Sequence, residues 1–289
     1  MKALLISVGL LLLSATTLQA QENSTAVPRK AIDITYIANE GFLISSRGSK
    51  VLIDGIFTEG FGRFQTPTAE TLAKESQASP PFDNITALLV SHYHPDHINP
   101  AYVVQHLLHD TKAVLIAPAQ VNDRLKNING YKAIENRVVV AVLNMNAAVW
   151  RNREMSVKVV PLQHASNDTG DIQNLGSIIT IGGFKLFHSG DANAADVSAY
   201  KSLNLADENI DVAFLPFWFL DGGDGGKGQE IIRTIKPKAI VLMHVETGQA
   251  DHLRNLVAGM KDVPPIYIME KPMETLSVGP DGIEQQGIK

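Results

Sequence analysis

The chain is 289 residues long, carries a formal net charge of -5 and contains no cysteine. An acidic balance without a basic run argues against nucleic-acid binding, which rests on phosphate neutralisation. The lack of thiols excludes a disulfide framework, a thiolate metal ligand and a cysteine nucleophile.

Lys2 precedes an apolar run over residues 3–13, broken only by Ser7 and Gly9, and small polar residues then lead to Leu18-Gln19-Ala20. This is the pattern of a secretory signal peptide over residues 1–20, cleaved after Ala20. The apolar run is shorter than the roughly 20 residues that span a bilayer, so no stable membrane insertion is expected after cleavage. The expected location is periplasmic or secreted. Residues 21–30 read as a flexible polar leader, and residues 31–289 as the folded domain.

Residues 32–36 alternate apolar and polar in the manner of a half-buried strand, and 41–44 and 51–53 are further strands around the turn Arg47-Gly48-Ser49. Residues 56–82 lack a period and hold Phe57, Phe61 and Phe64 among glycines and polar residues. They read either as a lid or as a disordered insertion. Strand–helix units follow: strand 87–90, a helix over 101–108 with Asn99 as cap and Pro100 in its first turn, strand 113–116 and helix 120–126. Strands 138–143 and 157–160 come next, and 177–181 and 184–187 flank the hairpin signal Gly182-Gly183. Strand 212–215, helix 229–235, strand 239–242, helix 251–260 and strands 266–269 and 275–278 complete the pattern. Strand runs at both ends with strand–helix units between them predict an α/β (α+β) chain of two mixed sheets covered by helices.

The segment Ser91-His92-Tyr93-His94-Pro95-Asp96-His97 follows a buried strand and precedes the Asn99-capped helix. Ligands of α/β sheets gather at such carboxyl ends of strands. In extended chain His92 and His94 point the same way, and the turn at Pro95 aims Asp96 and His97 toward a neighbouring point. Only nine histidines occur in the whole chain, so three of them beside an aspartate mark a metal or catalytic site. Imidazole and carboxylate suit zinc and related divalent ions.

His92-x-His94-x-Asp96-His97 resembles the signature of the metallo-β-lactamase superfamily. Further landmarks match in order: the strands Gly41-Phe42-Leu43-Ile44 and Val51-Leu52-Ile53-Asp54, His164 after Val159-Val160-Pro161-Leu162, Ser189-Gly190-Asp191 after a strand, and His244 after Val241-Leu242-Met243. The resemblance implies a four-layer αββα sandwich, the metallo-β-lactamase fold, with metals at the edge of both sheets. It implies that His92, His94 and His164 hold one metal, that Asp96, His97 and His244 hold a second, and that Asp191 bridges them. Zinc is the expected ion, and Mn²⁺ or Fe²⁺ also suits these ligands. Asp96 is the expected catalytic residue, orienting a hydroxide shared by two ions and accepting its proton.

Other residues have two readings. Asp54 is either an acceptor behind a ligand histidine or a turn carboxylate. His188 lines the pocket or is structural, with the structural role favoured. Tyr93 donates to substrate or packs on its strand. His106, His109 and His252 read as helix surface. Residues 217–220, Phe-Trp-Phe-Leu, form a pocket wall or core. The glycine-rich run 222–228 lacks the spacing of a phosphate loop and reads as a flexible loop beside the site. Sequons stand at Asn23, Asn84 and Asn167.

The expected activity is exported, metal-dependent hydrolysis of an ester, lactone or phosphodiester bond in a small-molecule substrate, in the branch resembling lactonases and phosphodiesterases. The alternatives are a β-lactamase, which export would suit, and a non-catalytic metal-binding protein on the same scaffold. The sequence sets no oligomeric state.

Overall fold

The computed structural model describes residues 29–141, 148–165, 172–221, 223 and 225–286. The expected signal peptide, nearly all of the leader, the sequons at Asn23 and Asn167, the end of the 138–143 strand and two positions of the 222–228 run lie outside the described residues.

The first half of the chain forms β1 (Ile32–Ala38), β2 (Gly41–Ser46), β3 (Ser49–Ile53), α1 (Ala69–Ser76), β4 (Ala87–Leu89), α2 (Pro100–His109), β5 (Val114–Pro118), α3 (Ala119–Leu125), α4 (Tyr131–Ile134) and β6 (Val138–Ala141). The second half forms β7 (Ala148–Arg151), β8 (Met155–Gln163), β9 (Gln173–Ile181), β10 (Phe184–His188), α5 (Val197–Ser202), β11 (Val212–Pro216), α6 (Lys227–Ile235), β12 (Ala239–Met243), α7 (Ala250–Ala258), β13 (Ile266–Ile268), β14 (Thr275–Gly279) and β15 (Gly282–Gln286). One sheet has the order β15-β14-β1-β2-β3-β4-β5-β6, the other β13-β12-β11-β10-β9-β8-β7.

The side-chain period of two makes these sheets stack. In β1, Ile32, Ile34 and Tyr36 enter the core between the sheets, while Ile37 faces the helices. In β12, Ala239, Val241 and Met243 enter the same core and Ile240 and Leu242 pack under the helices of the second sheet. Both faces of β12 are buried, which is why it reads as an unbroken apolar run, whereas β1 leaves Asp33 exposed and Thr35 half-buried and so alternates. The result is four layers, helix–sheet–sheet–helix, as expected. Phe42 of β2 and Phe214 of β11 join the two sheets, with ring centroids 4.7 Å apart.

Local signals position α2 as predicted. The Asn99 side chain accepts from Ala101 N at 3.1 Å and Tyr102 N at 3.3 Å. At the far end Arg137 donates to the carbonyls of Leu107, Asp110 and Ala113, satisfying groups the helix terminus leaves open.

Two expectations are corrected. Residues 56–82 are not a structureless insertion: Phe57 and Phe82 are buried and α1 forms between them, with Thr68 Oγ1 accepting from Thr71 N at 3.1 Å. His106 is not surface. It is fully buried on the Val103, Val104, Leu107 side of α2 and its Nδ1 donates to the Glu75 carbonyl at 2.5 Å. Strands β7 and β15 and helices α4 and α5 add to the predicted elements, each too short to show a period. His109 and His252 are exposed, as expected.

Candidate metal centre

The strands of both sheets end at one edge, and the chemistry collects there. The end of β4 delivers His92, His94, Asp96 and His97; the ends of β8, β10 and β12 deliver His164, Asp191 and His244. The seven sequence-predicted residues are thus brought together, four from one sheet and three from the other. Gly190 makes the turn into Asp191. Its φ is +56°, and a Cβ there would lie 2.3 Å from Asn174 Oδ1 and 2.8 Å from the Ser91 side chain, so only glycine fits. His244 also has φ +56°, a left-handed conformation that costs a non-glycine residue roughly 1–2 kcal/mol and is typical of functional sites.

Two lobes are evident. In the first, His92 Nε2 lies 3.0 Å from His94 Nδ1, 3.3 Å from His164 Nε2 and 3.7 Å from Asp191 Oδ2. In the second, Asp96 Oδ2 lies 3.8 Å from His97 Nε2 and 3.5 Å from His244 Nε2. Asp191 stands between them, its Oδ2 3.5 Å from His164 Nε2 and 3.3 Å from His244 Nε2, its Oδ1 3.5 Å from His97 Nε2.

The donors fit a cation in each lobe. A metal–nitrogen bond of 2.0–2.1 Å in a tetrahedral site sets donor atoms about 3.3 Å apart, close to the spacing in both lobes. His97 Nε2 and Asp191 Oδ1 are buried without a hydrogen-bond partner, which buried polar atoms rarely tolerate; a cation between them would satisfy both. The outer nitrogens are already engaged. His92 Nδ1 and Ser91 Oγ are 3.0 Å apart, and His97 Nδ1 donates to Asp54 Oδ2 at 3.2 Å. Both pairs leave Nε2 free for the lobe.

Electrostatics separate the histidines. Burial pushes His92 and His94 below the usual imidazole pKa, keeping them neutral. Burial acts the same way on His97 and His244, but the carboxylates around them, Asp191 with Asp54 and Glu40 at His97 and Asp191 with Asp96 at His244, together outweigh it and raise both. Burial would raise Asp96, yet the hydrogen bond with His244 and the His97 charge hold it below the usual carboxylate range.

Surrounding residues resolve the open readings. Asp54 is a buried acceptor behind the site, taking Ser91 N at 2.8 Å and Ser91 Oγ at 2.5 Å as well as His97. His188 is structural: its Nε2 donates to the Glu40 carbonyl at 3.1 Å and its Nδ1 accepts from Gly190 N at 3.1 Å. Tyr93 sets its ring edge-on to His94, centroids 5.1 Å apart, and carries the Arg124 guanidinium 4.0 Å above its centre. The 217–220 run divides: Phe219 and Leu220 are core, while Trp218 lies 5.0 Å from the His244 ring and donates from Nε1 to the Ala192 carbonyl at 3.0 Å.

Sequence reasoning passed over Asn39, Glu40, Phe64 as a neighbour of His244, and Arg124. Asn39 donates to Asp96 at its carbonyl, 3.3 Å, and at Oδ2, 3.4 Å. Glu40 is fully buried 3.7 Å from His97 Nδ1, and burial together with the Asp191 charge pushes its carboxyl well up. The signal for both was their place at the carboxyl end of β1, beside the other strand ends. The Phe64 ring stands edge-on to His244 at 4.2 Å.

Comparison with known proteins gives the same picture at the level of family and fold. The profile of the Beta-lactamase superfamily domain matches residues 49–245, a span that includes all seven clustered residues. No curated protein sequence matches the chain significantly. Among solved structures, the chain is similar to Igni18, a metallo hydrolase from Ignicoccus hospitalis, at 18% identity over 86% of this chain and 98% of that one, with a TM-score of 0.58. It is similar to YhfI, a metallo-beta-lactamase fold protein from Bacillus subtilis, at 14% identity over 86% and 100%, TM-score 0.59. It is also similar to CmlA, a diiron beta-hydroxylase from Streptomyces venezuelae, at 15% identity over 87% of this chain and 54% of that one, TM-score 0.56. At such identities the likeness is one of fold.

Proposed function

The chain belongs to the beta-lactamase superfamily, and from that premise we propose that it is an exported metal-dependent hydrolase cleaving an ester, lactone or phosphodiester bond in a small-molecule substrate. The observation that carries the reading is the donor set: His92, His94 and His164 on one side of Asp191, Asp96, His97 and His244 on the other. These residues would hold two divalent ions, zinc foremost, with manganese or iron also suited to a thiolate-free set. Bound there, such ions would supply Lewis acidity and make water a usable nucleophile near neutral pH.

The chain's own residues supply orientation and proton transfer. Asp96, ionised at neutral pH and held by Asn39, is placed to accept a proton from the attacking water. Asp54 fixes His97 in the tautomer that turns Nε2 inward. Phe64 and Trp218 flank His244 and give that side of the cleft an apolar wall suited to an acyl or aryl group. Export rests on the signal-peptide pattern of residues 1–20. Among the described residues no helix is long and apolar enough to cross a membrane.

Elemental analysis of the mature protein tests the reading. About two metals per chain are expected, with fewer in Asp191→Ala, and the loaded protein should turn over members of an ester, lactone and phosphodiester panel. One metal or none, unchanged by the substitution, would overturn the two-ion assignment. Rapid nitrocefin turnover lost on chelation would make the protein a β-lactamase. Metal loading without turnover of any substrate class would leave a binding protein.

A further inference from the structure

Most of the arginines that make contacts are spent on oxygen. Arg29 pairs with Asp211, Arg63 with Glu246, Arg254 with Glu270, and Arg137 caps α2. Arg29 and Arg63 lie over rings as well, Phe184 and Phe64, but Arg124, in the last turn of α3, differs in that its guanidinium lies over the Tyr93 ring at 4.0 Å with no carboxylate among the described residues paired with it. Tyr93 stands between His92 and His94 in the chain, and its ring is 5.1 Å from that of His94. The cation is therefore no further from a first-lobe histidine than these two short steps together.

The placement is built. Gln120 N donates to Gln173 Oε1 at 3.1 Å and Gln173 N donates to Gln120 Oε1 at 2.9 Å, tying α3 to the start of β9. Gln173 pairs in register with Gln163, the residue before His164. Asn122 Oδ1 accepts the Tyr131 hydroxyl at 2.7 Å, fixing the same helix from behind. A guanidinium stacked by one face on a ring keeps its in-plane N–H groups free, and these form the planar fork that matches a carboxylate, sulfate or phosphate. In a chain of net charge -5, a local cation of this kind offsets the general repulsion of an anion approaching the cleft.

We infer that Arg124, held by Tyr93, is an anion-recognition subsite on the first-lobe side of the cleft, and that the substrate carries a carboxylate, sulfate or phosphate group a few atoms from the bond that is cleaved. The inference rests on the reading above that substrate binds at this centre. It also gives the substrate a direction, with its anionic end toward Arg124 and its apolar end toward Phe64 and Trp218.

The test uses the metal-loaded mature protein and two probes of equal chain length, hexanesulfonate and hexanol, followed by calorimetry and, in a Trp150→Phe background that leaves Trp218 as the sole tryptophan, by fluorescence. A sulfonate coordinates divalent ions weakly, so its charge reports on the guanidinium. The sulfonate should bind about tenfold more tightly than the alcohol, the effect of one charge-assisted contact. Arg124→Ala should remove that preference while leaving hexanol affinity unchanged, Arg124→Lys should keep part of it, and Tyr93→Leu should weaken it. No preference in the wild type, or equal loss of both probes in Arg124→Ala, would overturn the subsite. An Arg124-dependent preference in a protein that hydrolyses nothing would sustain the subsite and sink the hydrolase reading. Turnover without the preference would do the reverse.

Discussion

Asp54 and His97 meet at 3.2 Å behind the centre, and the same carboxylate also accepts from the backbone and hydroxyl of Ser91. One buried side chain thus sets the tautomer of a second-lobe histidine and the entry angle of the segment that holds three more cluster residues. Asp54→Asn keeps the shape and removes the charge. Second-metal affinity is expected to fall by about 10–100-fold, with first-metal affinity far less affected. Calorimetric metal titration resolves the two sites; equal weakening of both would show that Asp54 serves folding rather than His97.

The 56–82 segment contributes one aromatic to the centre and leaves another outside. Phe64 packs edge-on against His244 at 4.2 Å, while Phe61 is 54% exposed. Phe64→Ala is expected to raise KM for long-chain acyl substrates more than for acetyl ones, and Phe61→Ala to do so less. Steady-state kinetics on an acyl-length series checks this, and parallel shifts across the series would remove the lid role.

A pH effect on stability is expected from Glu208, far from the centre. Its carboxylate accepts Lys158 Nζ and Lys185 Nζ, each at 2.8 Å. These hydrogen bonds, Lys158 first, outweigh partial burial and lower its pKa. A depressed carboxyl stabilises the fold above the unfolded-state pKa of about 4.3 and loses that contribution as pH falls through the folded value. Glu208→Gln should therefore lower stability at pH 7 by up to about 1 kcal/mol and cost progressively less on acidification. Urea midpoints across pH measure it; a gap that does not narrow in acid contradicts the assignment.

Phe214 touches Phe42 across the two sheets at 4.7 Å. Phe214→Ala is expected to cost about 3–5 kcal/mol, and a double-mutant cycle with Phe42→Ala to return a coupling of about 0.5–1.5 kcal/mol. Urea unfolding gives both values. Additive single losses would mean that the rings fill space without acting as a pair.

Legibility in the sequence followed burial. β12 was readable because alternate residues serve different cores and β1 because polar residues alternate with core ones, and the clustered residues were readable because each follows a strand. Helix α1 was not, since its buried residues are Thr71, Glu75 and Ser76 and it has no apolar stripe to repeat. His106 shows the opposite error. It lies three residues after Val103 and one before Leu107 on the buried side of α2, a position that spacing alone assigns to the interior; its polarity suggested surface, but the Glu75 carbonyl accepts its Nδ1–H there. Glu40 escaped because a charge at a hairpin tip ordinarily meets water, whereas this tip is covered by the edge of the other sheet's strands. Arg124 owes its role to a tertiary neighbour that no local pattern announces, whereas Trp218 lies in the 217–220 run already read as a pocket wall or core.

The donor atoms come from both sheets, so the interior between the sheets also acts as the gauge of the centre. A side chain one methylene too large among Ile34, Val51, Val157 or Ile179, none of them a donor residue, presses the sheets apart and widens the gap that His92 and His164 must close from opposite sides. Such variants should remain folded yet hold metal poorly, because interiors transmit strain rather than absorb it. Calibration of the centre is in this sense a property of the whole sandwich, and a search for activity-altering substitutions should begin in its middle layer as well as at its edge.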